Sequence, residues 1–525
     1  MMDYWAKAPM DRNQIALFSP TLDSWIPEDH PVRLFDEILS RIDWSRWESH
    51  YFGCVGQPPI HPRILAGILL YGMSTGVRSS RSLERACANS IDYLWLTSGR
   101  TIDHSTLCSF RTKFRQELKD VFRQIGRISL TMGLIRLNQV GLDGTQIRSN
   151  NSKKKIFSAE TIERQLAELD EQIEKIFSEA EAADEKEQDL FGSPSTASLP
   201  PQLSALHKRK DALEKALELE KKIQARRYRH TNVRSKTPRV PVTDPDSAIL
   251  PNKDGGMAPN YTPTAAVDSH HGFIVDTDVN SDGYESQTTV PTADRIEETF
   301  GRKPEKLLAD SAHGTGKNLK DLEARAIEAY IPPQNCATET DNPAQRNDLT
   351  KPVPQSDWDK LPRKSQLKNK LDKSAFIYHS SNNCYYCPMG RKMDYAGDSM
   401  NKRNSRRVRI RKYFCQSCDN CPLADECLIG NSKRRCITHD EFEASRQVML
   451  KRLKTTAGQE IYGHRKWICE TPFALIKAHM KFRQFLLRGL EKVKSEWLWA
   501  CTSFNIAKLV REIARMRTKF SAMIG

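Results

Sequence analysis

The 525-residue sequence predicts a mixed α/β fold that begins with a helical region and carries two inserted segments. Three observations predict it: short apolar runs that end at an aspartate, two helical stretches with coiled-coil spacing, and a cluster of cysteines late in the chain. We expect the following division: a helical region at 1–135, an α/β core at 136–154, 225–334 and 455–525, a helical hairpin at 155–224, and a cysteine-rich insertion at 335–454.

The first region has the pattern of short helices joined by Gly, Ser and Pro turns. Asp29 and Pro31 are typical of one helix start, and Ser79 or Ser80 of another. Basic side chains lie near several of these starts, at Arg78, Arg81, Arg85, Arg111, Lys113 and Arg115. Two interpretations remain open: a helical DNA-binding domain, or a helical bundle whose arginines are solvated.

The first insertion has the spacing of a coiled-coil seam. Apolar residues alternate at intervals of four and three, at Ile162, Leu166, Leu169, Ile173 and Ile176. A stretch rich in Ser, Pro and Gly follows, and then a second helical stretch with Leu206, Leu213, Leu217 and Ile223. The pattern predicts an antiparallel helical hairpin that serves as a spacer or as a surface for a partner.

The core is predicted from two buried strands and a hairpin. The apolar runs QVGL and KLLA each end at a carboxylate, Asp143 and Asp310. His270, His271 and Gly272 separate two further strand-like runs, which suits a turn between antiparallel strands. Helical stretches alternate with these strands, so the sequence predicts a mixed sheet with covering helices.

A third carboxylate, Glu470, opens a late helical stretch in which Lys477 lies two turns further along the same face. Carboxylates at two strand ends and one on a covering helix could converge on one site. Two hard cations held there about 4 Å apart can activate a water and stabilise a leaving phosphate oxygen. His313 follows Asp310 by three residues and could assist the site, but we favour its interpretation as a helix-start residue.

Eight of the thirteen cysteines lie between Cys336 and Cys436. This clustering predicts metal binding rather than disulfides, because a zinc ion takes four thiolates, typically from two Cys-containing turns. We expect Cys387, Cys418, Cys421 and Cys427 to hold one structural zinc, since prolines typical of turns accompany them. Cys384 and Cys415 are the alternates.

The chain carries a formal net charge of +15, which favours binding to a polyanion such as double-stranded DNA. A ribosome-like protein or a merely soluble basic protein is the alternative that charge leaves open. No apolar run approaches the roughly 20 residues that a membrane span needs, and the start has no signal-peptide pattern. We therefore expect no membrane partner and a cytoplasmic location.

LDGTQIRSNNS, LLADSAHGTG and the stretch with Tyr462, Arg465, Glu470 and Lys477 together resemble the motifs of bacterial insertion-sequence transposases of the DDE class. The resemblance extends over nearly the whole chain, and it implies an RNase H-like core. It further implies that Asp143, Asp310 and Glu470 are a catalytic triad that binds two Mg²⁺. Tyr462, Arg465 and Lys477 would form the accompanying Tyr-Arg-Glu-Lys signature, which contacts DNA.

One spacing departs from that signature. The family places three residues between Arg and Glu, whereas four separate Arg465 from Glu470 and three separate Lys466 from Glu470. Either Arg465 or Lys466 therefore fills the arginine position. The two are not equivalent, because arginine grips phosphate with two donors and lysine acts as a point charge.

The resemblance implies a transposase that cuts the inverted-repeat ends of its element and joins the freed 3′-hydroxyl to target DNA. A homodimer on DNA is the expected assembly. Two alternatives remain at this point: a metal-dependent nuclease that cuts without joining, and a catalytically inactive DNA-binding zinc protein.

Overall fold

The computed structural model describes residues 21–52, 58–152, 155–191, 201–231, 238–251, 255–281, 283, 285–334, 342–364, 369–379, 381–403, 406–430 and 432–524. These residues form two compact units. The first comprises Met1–Ser129, Ile147–Ile249 and Ala474–Gly525, and the second comprises Leu130–Gln146 and Leu250–Phe473, in each case as far as they are described. Within the described part of the chain, no helix is both long and apolar enough to span a membrane.

The helices are α1 (Pro31–Ser40), α2 (Ser45–Glu48), α3 (Pro62–Thr75), α4 (Ser80–Asn89), α5 (Ile91–Thr97), α6 (His104–Lys113), α7 (Arg115–Thr131), α8 (Ala159–Phe191), α9 (Pro201–Thr231), α10 (Thr289–Phe300), α11 (Gly316–Ala324), α12 (Ala424–Cys427), α13 (Glu443–Lys454), α14 (Thr456–Gly463), α15 (Arg465–Ala478) and α16 (Leu490–Ile524). The described part of the chain therefore begins with helices, as the sequence predicted.

The strands are β1 (Gln139–Gly144), β2 (Ile147–Arg148), β3 (Ile156–Phe157), β4 (Val240–Pro241), β5 (Ala248–Pro251), β6 (Met257–Asp268), β7 (Ile274–Asn280), β8 (Lys306–Ala309), β9 (Glu328–Tyr330), β10 (Arg363–Lys364), β11 (Lys370–Leu371), β12 (Ile377–His379), β13 (Cys384–Tyr386), β14 (Lys392–Arg403), β15 (Arg406–Cys415) and β16 (Cys436–Asp440). Parallel and antiparallel pairs both occur, so the predicted mixed α/β class is confirmed.

In the first unit, α16 packs among the N-terminal helices α1, α3 and α6. The indole nitrogen of Trp499 donates to the carbonyl of Arg111 at 3.2 Å, and the Ser503 hydroxyl donates to the carbonyl of Leu70 at 2.6 Å. Trp499 is fully buried, and its ring meets that of Trp47 edge-on. A late segment of the chain thus completes the core of the first helices.

The helix starts of this unit follow the sequence in part. Ser79 caps α4 as predicted, since its hydroxyl accepts from the backbone N–H of Ser82. The predicted cap of α1, Asp29, is wrong. The cap is His30, whose ring nitrogen Nδ1 accepts a hydrogen bond from the N–H of Val32. Pro31 fills the first helical position, so the imidazole meets the first free donor of the helix.

The long helices α8 and α9 contact each other along apolar positions of the predicted seam. Ile162 and Leu169 are buried against Leu213, and Lys210 pairs with Asp170 at 2.5 Å. The turn predicted between them spans residues 190–201, of which 192–200 lie outside the described residues. Its ends differ from the prediction, because Leu190 and Phe191 belong to α8 and Pro201 begins α9.

In the second unit, five strands lie in the order β7–β6–β1–β8–β9. Strands β6 and β7 form the predicted antiparallel hairpin, and Gly272 supplies the positive φ of +70° that its turn needs. Strand β6 runs antiparallel to β1, whereas β8 and β9 run parallel to it. The two short apolar runs of the sequence are therefore neighbours in the middle of the sheet.

The cysteine-rich part of this unit contains a second sheet, in the order β12–β13–β14–β15–β16. Its longest pair, β14 and β15, runs antiparallel from Met393 opposite Cys415 to Arg403 opposite Arg406. Met393, Tyr385 and Tyr413 are fully buried beneath it, and several cysteines pack against this small core.

Candidate metal centre

Asp143 and Asp310 lie side by side at one edge of the central sheet. Strands β1 and β8 are parallel neighbours, with Leu142 opposite Ala309, and each aspartate follows its member of this pair. The carboxyl ends of parallel strands meet at the same edge, so sheet geometry alone brings these two carboxylates together. The side chain of Asp310 accepts a hydrogen bond from the backbone N–H of Ala312 at 2.9 Å, which fixes its orientation.

The surroundings of Asp143 disfavour its negative charge. The pKa of this carboxyl is raised to about 6, mainly by burial and also by the nearby charges of Asp310 and Glu285. A hydrogen bond from the Gly144 N–H at 2.8 Å and the charge of Arg465 act in the opposite direction. The guanidinium Nη1 of Arg465 lies 3.3 Å from Asp143 Oδ2. A group of close carboxylates under these conditions is suited to a bound cation.

Helix α15 lies directly against β1. A Cβ added at Gly141 would approach the Cys469 sulfur to 2.6 Å, so the helix requires glycine at this strand position. Burial raises the pKa of the Cys469 thiol, and the charges of Asp143, Glu470 and Asp310 add to this effect. Cys469 therefore lies near the strand ends that carry Asp143 and Asp310, whereas Glu470, its neighbour in sequence, is exposed and does not belong to a described group of three ligand atoms within 4.8 Å.

The signature residues occupy different surroundings. Arg465 contacts Asp143 and lies 5.9 Å from the ring centre of Tyr462, both measured from its guanidinium. Lys466 is exposed, and Glu470 is exposed on the same helix. Lys477 lies in the last turn of α15 and is half-buried.

Sequence reasoning missed Glu285 and set His313 aside. Glu285 begins a 3₁₀ turn before α10, and His313 ends another 3₁₀ turn just after Asp310. One ligand atom each of Glu285, Asp310 and His313 lies within 4.8 Å of the other two. An acidic residue in the link between the two aspartate-bearing strands was the available signal, but many acidic loop residues share it.

The shifted pKa of Asp143 leads to a first prediction. Because its folded-state pKa lies above the usual value of 3.8, Asp143 adds stability below that value and loses this contribution as the pH rises through about 6. Asp143→Asn is therefore expected to raise the stability of the metal-free protein by about 1–2 kcal/mol near pH 7, after allowance for its partial exposure.

This prediction is checked by the melting temperatures of wild type and variant between about pH 5 and pH 8 without added divalent cation. The melting temperature of Asp143→Asn should exceed that of wild type by an amount that grows with pH and then levels off. Asp294→Asn, which removes a carboxylate from a surface pair with Arg325, is the control and should change the melting temperature little. A difference that shrinks as the pH rises would contradict the assignment.

Five thiols cluster beneath the second sheet. These are the thiols of Cys387, Cys415, Cys418, Cys421 and Cys427. They interact with one another through hydrogen bonds or electrostatically. A hydrogen bond from the Cys415 thiol lowers the pKa of Cys387, and the backbone N–H of Arg435 lies 3.5 Å from the Cys418 sulfur. Among the described residues, no three of these sulfur atoms come within 4.8 Å of one another.

The two alternates differ in position. Cys415 belongs to the cluster, whereas the side chain of Cys384 is buried on β13 beside Lys392 and Asp394. The cluster thus contains the four thiols expected from the sequence together with one of the two alternates.

Comparison with known proteins gives two matches to protein families. Residues 386–510 match a family described as a transposase DDE domain, and residues 20–113 match one described as a transposase domain. The first match includes Tyr462, Arg465, Glu470 and Lys477, while Asp143 and Asp310 lie outside both. A search of curated proteins found no match.

Proposed function

Because these two matches support a DDE-type insertion-sequence transposase, we propose that the protein cuts the ends of its element and joins them to target DNA. In the first reaction, the oxygen of a water molecule attacks the phosphorus at the element end, and the bond to the 3′-oxygen breaks. In the second, the freed 3′-hydroxyl attacks a target phosphorus and displaces a target 3′-oxygen. The adjacent positions of Asp143 and Asp310 at parallel strand ends are the observation that carries this proposal.

The carboxylates of the site supply the oxygen ligands that a pair of Mg²⁺ ions would need. Hard divalent cations prefer carboxylate oxygens, and the raised pKa of Asp143 reflects burial and unbalanced negative charge at this edge of the sheet. Asp143, Asp310 and Glu470 would hold the ions. Such ions, when bound, supply charge neutralisation for the phosphate and a lowered pKa for water.

The other residues would position DNA. Arg465, fixed beside Asp143, is the better candidate for the signature arginine, because its guanidinium already faces the carboxylates that would flank the phosphate. Exposed Lys466 and half-buried Lys477 would contact the DNA backbone as point charges, and Tyr462 would support Arg465 through its ring. The net charge of +15 favours double-stranded DNA as the partner.

The wider assignment is part of the same proposal. The mixed sheet with acidic residues at adjacent strand ends supports an RNase H-like core. The domain limits expected from the sequence, with DNA binding in residues 1–135, a homodimer on DNA, and a cytoplasmic location at the nucleoid, complete it.

The test is a cleavage assay with the purified full-length protein, Mg²⁺, and labelled DNA that carries the inverted repeats flanking its gene. Cut ends together with joined target products are expected. Cutting without joining would instead indicate a nuclease. Salt-dependent DNA binding without any cutting in Mg²⁺ or Mn²⁺ would indicate an inactive DNA-binding protein and overturn the proposal.

We also propose one structural zinc ion held by Cys387, Cys418, Cys421 and Cys427. The support is the shared cluster of thiols in a small core, and the approach of a backbone N–H to the Cys418 sulfur, a contact that suits a thiolate. Cys415 remains the alternate that lies within the cluster.

A second prediction tests this zinc site by metal analysis of the purified protein. Wild type is expected to contain about one zinc per chain, and Cys421→Ser close to none, because a structural zinc needs all four ligands. Cys384→Ser is the matched control and should keep its zinc, since this thiol lies beside Lys392 and Asp394. Wild-type protein without zinc would refute the proposal.

A further inference from the structure

Glu285 and His313 lie beside Asp310 and have no role in the function proposed above. Atoms that could bind a metal, one from each of the three side chains, lie within 4.8 Å of one another. His313 is completely buried, and Glu285 is partly buried. A buried imidazole between two carboxylates differs from an exposed acidic cluster, because its nitrogen atoms must find partners inside the protein.

The ring of His313 is fixed from one side only. Its Nδ1 lies 2.9 Å from the hydroxyl oxygen of Thr289, and that oxygen also accepts from the side-chain amide of Asn318 at 3.1 Å. The same amide donates to the carbonyl of His313 at 2.9 Å, which holds the turn in place. The second ring nitrogen, Nε2, is buried and has no hydrogen-bond partner.

Nε2 faces the carboxylate of Glu285, with 3.5 Å between Nε2 and Oε2. When Nδ1 carries the ring proton and donates it to Thr289, Nε2 presents a lone pair toward this carboxylate. Two acceptors at this distance repel each other unless a cation lies between them. The orientation set by Thr289 therefore makes Nε2 a suitable metal ligand.

The neighbouring strand leaves room for Glu285. A Cβ added at Gly144 would lie far inside contact distance of Glu285 Oε1, so a side chain at position 144 would displace this carboxylate. Gly144 directly follows Asp143, and the charge of Glu285 is felt by Asp143. The absence of a side chain at this strand position lets Glu285 reach the edge that carries both aspartates.

We propose that Asp310, Glu285 and His313 form a cation subsite with mixed oxygen and nitrogen ligands, which binds Mn²⁺ more tightly than Mg²⁺. Imidazole nitrogen suits transition-metal ions, whereas Mg²⁺ favours an all-oxygen shell. The inference rests on the proposed function to the extent that the subsite shares Asp310 with the triad. It adds a carboxylate and an imidazole to the groups that hold metal at this edge.

The experiment is a titration of the full-length protein with Mn²⁺, without DNA, followed by the electron paramagnetic resonance signal of free Mn²⁺. Glu285→Gln keeps the size of the side chain and removes its charge. His313→Asn keeps a group that can reach Thr289 and removes Nε2. Glu297→Gln, at a surface pair with Lys303, is the matched control.

Wild type and Glu297→Gln are expected to bind one Mn²⁺ at the subsite with equal affinity. Each subsite variant should weaken this binding about tenfold or more, as loss of a ligand would require. In wild type, Mg²⁺ should displace the bound Mn²⁺ only in large excess. Should His313→Asn fail to fold, Glu285→Gln alone decides the outcome.

Unchanged Mn²⁺ binding in a folded Glu285→Gln protein would overturn the inference, even if the wild type cuts DNA. Lost Mn²⁺ binding in the variants, with a wild type that never cuts element ends, would leave the subsite standing and refute the proposed function. The two failures are therefore distinguishable.

Discussion

Asp143→Asn and Asp310→Asn are each expected to slow cleavage of element-end DNA on the order of 10³-fold, or by about 4 kcal/mol in activation free energy. The substitution keeps the size of the side chain and removes the charge that would hold a divalent cation. Both carboxylates lie at the ends of neighbouring parallel strands, where the proposed ions would bind. Rates under single-turnover conditions, with saturating protein and Mg²⁺, measure the effect on chemistry rather than on DNA binding.

The control for this prediction is Asp294→Asn, which removes a surface charge from α10 that pairs with Arg325. It should leave the rate within about twofold of wild type, since exposed ion pairs contribute little. DNA affinity should change little in all three variants, because the basic groups remain. Full activity in either Asp143→Asn or Asp310→Asn would refute the proposed site.

The second large effect concerns stability. Glu496→Ala is expected to lower the free energy of unfolding of the first unit by about 3–5 kcal/mol. Glu496 is completely buried, and its carboxylate accepts from Arg78 at 2.9 Å, from the Leu486 N–H at 3.0 Å and from the Leu487 N–H at 2.9 Å. Removal of the carboxylate would leave the largely buried Arg78 guanidinium and the N–H groups of Leu486 and Leu487 without their acceptor.

Arg78 makes further contacts besides its pair with Glu496. Its guanidinium donates to the carbonyl groups of Lys481 and Gln484, and it lies 3.9 Å from the centre of the Phe482 ring. Its position near a helix start predicted either a DNA contact or a solvated charge. Both interpretations are wrong for this residue, because the buried carboxylate of Glu496 holds it inside the protein.

Urea unfolding followed by tryptophan fluorescence measures the loss of stability, since Trp497 and Trp499 lie on the same helix as Glu496. Glu491→Ala is the matched control on that helix. Its side chain is 72% exposed and pairs with Arg115, so the expected cost is below about 1 kcal/mol. Equal effects of the two substitutions would show that the buried pair contributes no more than a surface pair.

The parts of the fold that local patterns determine could be predicted from the sequence. Apolar runs of about four residues are typical of buried strands, and β1 and β8 lie where QVGL and KLLA predict them. The spacing of Ile162, Leu169 and Leu213 likewise placed these residues in the contact between α8 and α9. In both cases the signal lies within one short segment.

Partnerships across long stretches of chain could not be predicted. Arg78 and Glu496 are 418 residues apart, and neither has a sequence neighbourhood that distinguishes it from other charged residues. Glu285 lies close to Asp310 and His313, and Gly144 leaves space for its carboxylate, a fact of packing that no pattern of residue types records. His30 replaced Asp29 as a cap because its ring can accept through Nδ1, an option the simple cap preference overlooks.

The position of α16 has a consequence for synthesis on the ribosome. Leu70 and Ser503 form a buried hydrogen bond across 433 residues. At an elongation rate of about 5–20 residues per second, α3 is synthesised roughly 20 to 90 s before the helix that covers one of its faces. During this interval a nascent chain presents an uncovered apolar surface, which chaperones and proteases recognise. We therefore expect chains that stop before α16 to be degraded, so that only complete copies accumulate in the cell.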